Sequence, residues 1–238
     1  MRALALAIAL AAGFAGSSAR ADYPIYCGGH KGRYVALTFD DGPGSTTQTV
    51  IRTLRRYHAR ATFFVLGQNI GGRSSTVRQE NALGSVANHS WSHPDLSKYS
   101  AAGVAQQLTS TQAAIQKAGG GRPTIFRPPY GAHNSTVDAA ARALGLKTIL
   151  WSIDSYDSRG YSSAEVAHTV LKLAQPGAIV LMHDVIAATV QALPRILRIL
   201  KARKFKLVTV EELLRRDPPS LAQLKKGFQG CYSRAASD

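Results

Sequence analysis

Two aspartates and two histidines occur in a pattern that could hold a metal ion and move a proton. Asp40 and Asp41 are adjacent, and His89 and His93 follow about fifty residues later, with three residues between them. Two imidazoles and one carboxylate leave part of a zinc coordination sphere open to water, as in catalytic zinc sites. The second carboxylate is then available to take a proton from the metal-bound water. The set therefore predicts metal-assisted hydrolysis.

The local sequence indicates how these residues are positioned. The apolar run Tyr34–Phe39 leads to both aspartates and then to the Gly-Pro-Gly sequence at 42–44, which predicts a strand that ends in a sharp turn. Neighbouring residues on a strand diverge, so the two acids need not do the same job. The spacing of His89 and His93 predicts a helical turn that starts at His89. Taken alone, the acids are also typical of turns or caps, and the histidines of a solvated helix face.

Three more motifs follow in order, and with them a family resemblance appears. They are Phe126–Gly131 (Phe-Arg-Pro-Pro-Tyr-Gly), Trp151–Asp157 and Val180–Asp184. From about residue 33 to 214 the chain resembles the polysaccharide deacetylases, carbohydrate esterase family 4, which share the NodB homology domain. Family members carry Thr-Phe-Asp-Asp-Gly, His-Ser/Thr-x-x-His, Arg-Pro-Pro-Tyr-Gly, Asp-x-x-Asp-Trp and Leu-x-His in that order. Four of the five are complete here, and the fourth has Ser158 in place of Trp.

The resemblance implies a metal site and a general base. Asp41, His89 and His93 would bind a divalent metal, Zn²⁺ or another ion such as Co²⁺. Asp40 would be the general base. Arg127 would keep Asp40 ionised and oriented, because a nearby guanidinium lowers the pKa of a carboxylate. The alternative for Arg127 is a surface position in a proline-rich loop.

The resemblance also implies an acid and an oxyanion contact. His183 would protonate the leaving amine, and Asp157 would pair with His183 and raise its pKa. Tyr130 would donate its backbone N–H to the oxyanion of the tetrahedral intermediate. Pro128 and Pro129 would hold that part of the backbone in place.

Leu181, Pro128 and Trp91 are expected to line the substrate. Leu181 would form an apolar wall against the acetyl methyl group, although an ordinary core position on a strand explains it equally well. In the resembled family the Trp of the fourth motif helps to line this groove. Because Ser158 replaces it here, Tyr156, Tyr161 or Trp91 would have to supply the wall.

The ends of the chain suggest export. Residues 1–21 read as a signal peptide with cleavage after Ala21, and their apolar run is too short to span a membrane. An uncleaved anchor or a buried helix is the alternative. A secreted, periplasmic or cell-wall location follows as the expectation. In such an oxidising compartment Cys27 and Cys231 would form a disulfide, with two free buried thiols as the alternative.

The charge favours an anionic setting. The chain has 29 basic and 14 acidic residues, and loss of the proposed leader removes Arg2 and Arg20, which leaves about +13. An anionic cell wall is a partner that fits this balance, whereas nucleic acid is not expected in the absence of a recognition motif. The alternative is that these residues only solvate helix faces. We expect a monomer that acts on a carbohydrate polymer and has no membrane span.

Residues 22–238 predict one α/β domain, a distorted barrel of seven or eight β/α units of the NodB-homology type. Strand-like and helix-like segments alternate, and the proposed catalytic residues fall at the C-terminal ends of strands. The predicted strands are Tyr34–Phe39, Ala61–Leu66, Gly84–Asn88, Thr124–Phe126, Leu146–Ile153, Ala178–Met182 and Phe205–Val210. The predicted helices lie near Thr46–His58, Ala101–Lys117, Asn134–Leu144, Ser163–Ala174 and Val190–Arg203.

The sequence therefore predicts an N-deacetylase for polymers that contain N-acetylglucosamine, such as peptidoglycan or chitin-type oligomers. An acetylxylan esterase would use the same residues on O-acetyl groups. A carbohydrate-binding protein that has lost turnover is a third possibility, and the missing Trp at position 158 is its motivation. A metal-dependent amidohydrolase for small cyclic amides fits the proposed leader poorly.

Overall fold

Eight parallel strands form a single curled sheet in the computed structural model, which describes residues 23–232. The proposed signal peptide lies outside the described residues. Most strand positions are buried. The strands are β1 Tyr34–Asp40, β2 Thr62–Val65, β3 Ser85–Asn88, β4 Ile125–Phe126, β5 Lys147–Thr148, β6 Ile153–Asp154, β7 Ala178–His183 and β8 Lys206–Val208.

Helices connect the strands and cover the outside of the sheet. They are α1 Thr47–Arg56, α2 Ser74–Leu83, α3 Ala101–Ala118, α4 Ser135–Ala143, α5 Ser163–Leu173, α6 Ala187–Ala202, α7 Val210–Arg216 and α8 Leu221–Lys226. Helices α2, α7 and α8 are not among the helices predicted from the sequence. The reason for α2 is that only Val77 and Glu80 are buried, so it lacks an apolar stripe. Between residues 23 and 232, every helix is too short or too polar to cross a membrane.

The strand order is β5-β4-β3-β2-β1-β7-β6, with β8 also paired to β1. The prediction of one strand over Leu146–Ile153 is wrong, because this stretch contains two strands at opposite edges of the sheet. Lys147 and Thr148 pair with β4, whereas Ile153 and Asp154 pair with β7. One stretch of chain thus joins the two edges. The expected distorted barrel is confirmed, with eight short strands instead of seven longer ones.

Side chains alternate along β1 between two apolar clusters. Leu37 and Phe39 belong to an outer core that also contains residues of α1, α5 and α6. Ala36 faces the other way, into an inner core with Phe64 and Ile179. Because successive residues of a strand point to opposite faces, the inward series continues to Asp40 at the end of β1. This alternation places the side chain of Asp40 inside the barrel at the carboxyl ends of the strands, which we call the mouth of the barrel.

One buried acid does not fit this apolar pattern. Glu80 of α2 is fully buried, and neither of its carboxylate oxygens has a hydrogen-bond partner among the described residues. Burial raises the pKa of Glu80 well above its ordinary value, and the negative charge of Asp184 adds to the shift. The buried position therefore favours the protonated form of Glu80.

The two cysteines join the ends of the described chain. Cys27 and Cys231 form a disulfide with their Cα atoms 5.8 Å apart. Both residues are buried, and Cys27 also lies in a bridge to Ala178 at the start of β7. The disulfide therefore ties the C-terminal segment to the edge of the sheet that is formed by β6 and β7.

Candidate active site

The candidate site lies at the carboxyl ends of the central strands. Asp40 and His183 are direct neighbours in the register of β1 and β7. Both continue the inward series of their strands, since Leu181 precedes His183 by two residues as Thr38 precedes Asp40. His89 and Arg127 follow the ends of β3 and β4, two residues after the inner-core residues Ala87 and Ile125. Parallel pairing thus brings four polar side chains to one mouth.

Asp41, His89 and His93 form a three-residue cluster suited to a metal ion. One potential ligand atom from each residue lies within 4.8 Å of the others. The Nε2 atoms of His89 and His93 are each 3.5 Å from Asp41 Oδ1. His89 Nδ1 is 2.8 Å from the backbone oxygen of Arg127, which can only accept, so Nδ1 carries the hydrogen. The lone pair of His89 is therefore on Nε2 and faces the cluster, as in metal-binding histidines.

The donor set fits a divalent cation. Asp41 Oδ1 is buried, yet no hydrogen-bond donor among the described residues contacts it. Burial lowers the pKa of His89, with further lowering by the charges of His93 and Arg127, and the opposing effect of Asp41 is smaller. A neutral imidazole is the form that binds metal. Two such nitrogens and one carboxylate are donors that zinc accepts.

The predicted helical turn at His89 is wrong. Residues 89–95 form a loop in which Ser90 and His93 have positive φ angles of 71° and 60°. Asn88 Oδ1 accepts the Ser90 N–H at 2.9 Å, and Ser90 Oγ accepts the His93 N–H at 3.1 Å. These side-chain contacts bring the two rings together, with centroids 5.0 Å apart. The left-handed residues of this loop thus bring the rings of His89 and His93 to the same side, as the predicted helical turn would have done.

Asp40 and Arg127 form a buried ion pair. Arg127 donates from Nη1 to Asp40 Oδ1 at 2.7 Å, and both side chains are almost completely buried. The pKa of Asp40 is nevertheless above its ordinary value, because burial outweighs the opposing charges of Arg127 and His183. The lowering that we expected from Arg127 is present, but it is the smaller effect. A carboxylate with a raised pKa is a stronger proton acceptor.

Arg127 is a fully buried residue, so the surface alternative is wrong. Its guanidinium also donates to Thr38 Oγ1 at 2.8 Å and to the Leu150 backbone oxygen at 3.1 Å. Its Cζ atom lies 4.1 Å from the centre of the Phe64 ring, which is a cation–π distance. Thr38 and Phe64 are not among the predicted site residues. Their inward position in the strand alternation is the signal that could have identified them.

His183 and Asp157 make two contacts with each other. Asp157 Oδ1 bonds to His183 Nδ1 at 2.8 Å, and Oδ2 accepts the backbone N–H of the same residue at 2.7 Å. Thr189, which is not among the predicted site residues, also donates to Asp157 Oδ2. Burial lowers the pKa of His183, but the bond to Asp157 and the charges of Asp40, Asp157 and Asp41 raise it to about 9. His183 is thus a cation at neutral pH.

Tyr130 contributes its ring as well as its backbone. Its φ angle is 61°, and its ring meets His93 edge-on with centroids 4.5 Å apart. Tyr130 is 71% exposed, whereas the preceding Pro128 and Pro129 are buried. Our expectation concerned only the backbone N–H. The ring adds an aromatic surface at the rim that also restrains His93.

Positive φ angles are concentrated around this mouth. Asp41, Ser90, His93, Tyr130 and Tyr156 all have φ between 58° and 72°, although none of them is glycine. Left-handed backbone is unfavourable for such residues and persists only where the surrounding structure enforces it. Such residues are typically found at ligand sites and active sites.

The rim of the site carries several aromatic side chains. Trp91 is 38% exposed on one side, and Leu181 is buried in β7 with only 6% of its surface accessible. Tyr156 and Tyr161 pair at 5.3 Å on the loop that carries Ser158, which is itself exposed. These two tyrosines lie closest in the chain to the position where the resembled family has Trp.

Comparisons with known proteins agree with this geometry. Residues 28–149, about half of the chain, match the family model described as polysaccharide deacetylase. The chain is 43% identical over 181 residues to the peptidoglycan-N-acetylglucosamine deacetylase PgdA of Listeria monocytogenes, which covers 75% of this chain and 38% of the relative. It is also 43% identical over 152 residues to a bifunctional xylanase/xylan deacetylase of Cellvibrio japonicus, with 63% and 23% covered.

A solved structure shows the same similarity in three dimensions. A family 4 carbohydrate esterase from Streptomyces lividans, in complex with acetate, superposes with a TM-score of 0.70 and 39% identity. The match covers 76% of this chain and 92% of that one. The chain spans less than half the length of the two curated relatives described above.

Proposed function

Since the chain belongs to the polysaccharide deacetylase family, we propose that it is a metal-dependent hydrolase that removes N-acetyl groups from a polysaccharide containing N-acetylglucosamine. Acetate would be the small product. One observation carries the proposal: Asp40, the proposed base, and His183, the proposed acid, are register partners on adjacent strands. The cluster of Asp41, His89 and His93 lies at the same mouth. Peptidoglycan and chitin-type oligomers are the leading substrates.

Asp41, His89 and His93 would hold the cation, with zinc as our first choice and cobalt as an alternative. A divalent cation bound there would act as a Lewis acid and lower the pKa of a water molecule. The backbone oxygen of Arg127 orients His89 by accepting from Nδ1. Tyr130 restrains His93 through its ring.

Asp40 would accept the proton of the water that attacks the acetyl carbonyl. Arg127 occupies Oδ1, which leaves Oδ2 as the proton acceptor, and this oxygen is 3.6 Å from His89 Nε2. Because Arg127 is itself held by Thr38 and the Leu150 carbonyl, the carboxylate cannot rotate freely. A base held in one orientation is an efficient general base.

His183 would give a proton to the leaving amine. Asp157 holds Nδ1, so the proton on Nε2 is the one that faces the site, where Nε2 is 4.0 Å from Asp41 Oδ2. Amines leave poorly without protonation, and the raised pKa of His183 keeps that proton available at neutral pH. Base and acid would therefore flank the substrate from β1 and β7.

The remaining contacts concern the acetyl group and the sugar. The Tyr130 backbone N–H would stabilise the oxyanion, in a turn that Pro128 and Pro129 hold. Leu181, Pro128 and Trp91 would line the groove. The pair of Tyr156 and Tyr161 would take the place of the missing family Trp.

Two alternatives have a specific motivation. The relative named as a xylan deacetylase motivates an O-acetyl esterase, for which protonation by His183 would matter less. The replacement of Trp by Ser158 motivates a binding protein without turnover. The complete set of Asp40, His183 and the three metal donors argues against a binder, since a binder needs no general base.

We propose an extracytoplasmic location, with residues 1–21 as a cleaved signal peptide and 22–238 as one catalytic domain. The disulfide between Cys27 and Cys231 supports an oxidising compartment. The curated relative PgdA is named for peptidoglycan, a cell-wall polymer. We propose that the protein acts there as a monomer.

The test is acetate release by the purified protein from three substrates in parallel. These are N-acetylglucosamine oligomers, peptidoglycan and acetylated xylan, each with and without a chelator. We expect chelator-sensitive release from one of the first two and none by the Asp40→Asn variant. Release only from xylan would favour the esterase. No release from any substrate, with a full equivalent of zinc bound, would favour the binding protein.

A further inference from the structure

The outer faces of two neighbouring helices carry positive charge without any acid. Between residues 42 and 79, and again between 185 and 210, the sequence contains no Asp or Glu. These segments include α1 and α6 completely. Six exposed cations on the two helices define what we call the α1–α6 basic face. They are Arg52, Arg55, Arg56, Arg195, Arg198 and Lys201.

The two helices lie side by side on the sheet. Ile51 and Leu54 of α1 share the outer core with Ile196 and Leu200 of α6. Lys201 also donates to the backbone oxygen of Tyr57, just after α1 ends. None of the six cations forms an ion pair with a described carboxylate. Their positive charges are therefore presented together to solvent.

The topology separates this face from the active site. Each helix begins after the carboxyl end of a strand and returns to the opposite end of the barrel, because the strands it connects are parallel. Arg55, Arg56 and Lys201 lie in the last turns of their helices. The basic face is therefore displaced toward the amino-terminal ends of the strands, away from Asp40 and His183.

Stabilisation of the helix ends explains only part of this arrangement. Cations in the last turn interact favourably with the helix dipole, which accounts for Arg55, Arg56 and Lys201. Arg195 and Arg198 lie upstream of that turn, in a helix whose ends have no acid to balance them. Along α6, Arg195, Arg198 and Lys201 follow one another at intervals of slightly less than one helical turn and together span about 9 Å. This spacing suits a chain of regularly repeated anionic groups.

The side chains indicate which kind of polyanion fits. Five of the six cations are Arg, whose guanidinium binds phosphate with paired hydrogen bonds. A membrane surface would require apolar side chains that insert, and neither α1 nor α6 has an exposed large apolar residue. Single-stranded nucleic acid would require exposed aromatic rings for stacking, and these two helices have none.

We infer that the α1–α6 basic face binds a phosphate-bearing polymer, a flexible chain of phosphodiester or phosphoanhydride units, at a site separate from the catalytic mouth. Binding would hold the protein on an anionic matrix while the mouth stays open to substrate. The inference rests on charge and topology and does not depend on the proposed hydrolase activity.

The test compares two triple variants of the full chain for binding to long-chain inorganic polyphosphate at several salt concentrations. Arg55→Gln with Arg195→Gln and Arg198→Gln removes half of the face. Arg122→Gln with Arg142→Gln and Arg215→Gln removes the same charge from exposed arginines elsewhere. We expect about tenfold or greater loss of affinity for the first variant, and a salt slope lower by about two to three. The control should stay close to the parent.

Equal losses in both variants would overturn the inference, because net charge alone would then explain binding. Two further arms use phosphatidylglycerol vesicles and double-stranded DNA. A loss confined to either of them, with polyphosphate binding unchanged, would show that the partner is of a different class.

Discussion

Asp157 holds His183 at two points, with one carboxylate oxygen on the imidazole Nδ1 and the other on the backbone N–H. Burial raises the pKa of Asp157, but the bonds from His183 and Thr189 more than offset it, so the pKa is lowered overall. The same contact is the main reason that the pKa of His183 is raised to about 9 against the effect of burial. Position and protonation of the proposed acid thus depend on one carboxylate.

Asp157→Asn should move the alkaline limit of activity. A raised histidine pKa keeps the acid protonated up to that pKa, and activity is lost as pH rises through it. Removal of the Asp157 charge lowers the pKa of His183, so the alkaline limb of kcat should shift to lower pH by about one to two units. The pH profile of acetate release measures this. An unchanged limb would contradict the role of His183 as the acid.

Asp40→Asn should separate catalysis from metal binding. Asparagine can still accept the hydrogen bond of Arg127 but cannot take up a proton, so kcat should fall by about 10² to 10⁴. Zinc content should remain at one equivalent. The matched variant is His89→Ala, which should lose tight zinc binding. Strong residual turnover of the Asn variant would exclude Asp40 as the base, and retained tight zinc in the Ala variant would exclude His89 as a ligand.

Arg127→Met should destabilise the fold as well as abolish activity. It leaves Asp40 buried without its partner, and loss of one member of a buried ion pair costs about 3 to 5 kcal/mol of unfolding free energy. Addition of Asp40→Asn to this variant should restore part of that loss, because the unpaired charge is then absent. Chemical denaturation of the two single variants and the double variant gives the coupling energy. Simple additivity would contradict the pairing.

Glu80→Met should stabilise the protein, and more so at higher pH. Burial raises the pKa of Glu80 in the fold, so its carboxyl holds a proton more tightly there than in the unfolded chain, which ionises above about pH 4.3. Below that pH, Glu80 is protonated in both states and its ionisation does not affect the free energy of unfolding. As pH rises from there toward the raised pKa, ionisation stabilises the unfolded chain, so the free energy of unfolding declines. We expect a gain of about 1 to 3 kcal/mol near neutral pH and less near pH 4.5.

Thermal unfolding at pH 4.5 and pH 7.5, without added metal, measures the effect of Glu80→Met. Glu165→Met, at an exposed position on α5, is the comparison variant and should show no gain, because Glu165 accepts hydrogen bonds from Ser162 at the start of that helix. An equal gain at both pH values would show that the benefit comes from packing and not from ionisation.

The candidate site could be proposed from the sequence because its signals are local. The strand that ends at Asp40, the turn after it and the histidine spacing are all visible within a few residues. The alternation of strand-like and helix-like segments also predicted parallel strands, and with them the placement of the catalytic candidates at one end of the sheet. Thr38 and Phe64 could not be identified in the same way, because they contact Arg127 only through tertiary packing.

The errors have a common physical cause. Residues 146–153 have the composition of one strand, but the partners of its two halves lie on β4 and β7, which the sequence does not place. The spacing of His89 and His93 matched a helix, whereas hydrogen bonds from Asn88 and Ser90 stabilise left-handed residues there. Burial of Arg127 is likewise a property of the assembled barrel. In each case non-local contacts overrode a local preference.

The central position of β1 has a consequence for the order of folding. It pairs with β2 close by in the chain, but also with β7 and β8, and the bond from Thr38 to the Val180 backbone oxygen joins residues 142 positions apart. Contacts of such separation form slowly, because a long loop must close before they add stability. As the chain is synthesised, Asp40 emerges early and His183 late. Most of the chain must therefore be synthesised before β7, which carries His183, can pair with β1, which carries Asp40.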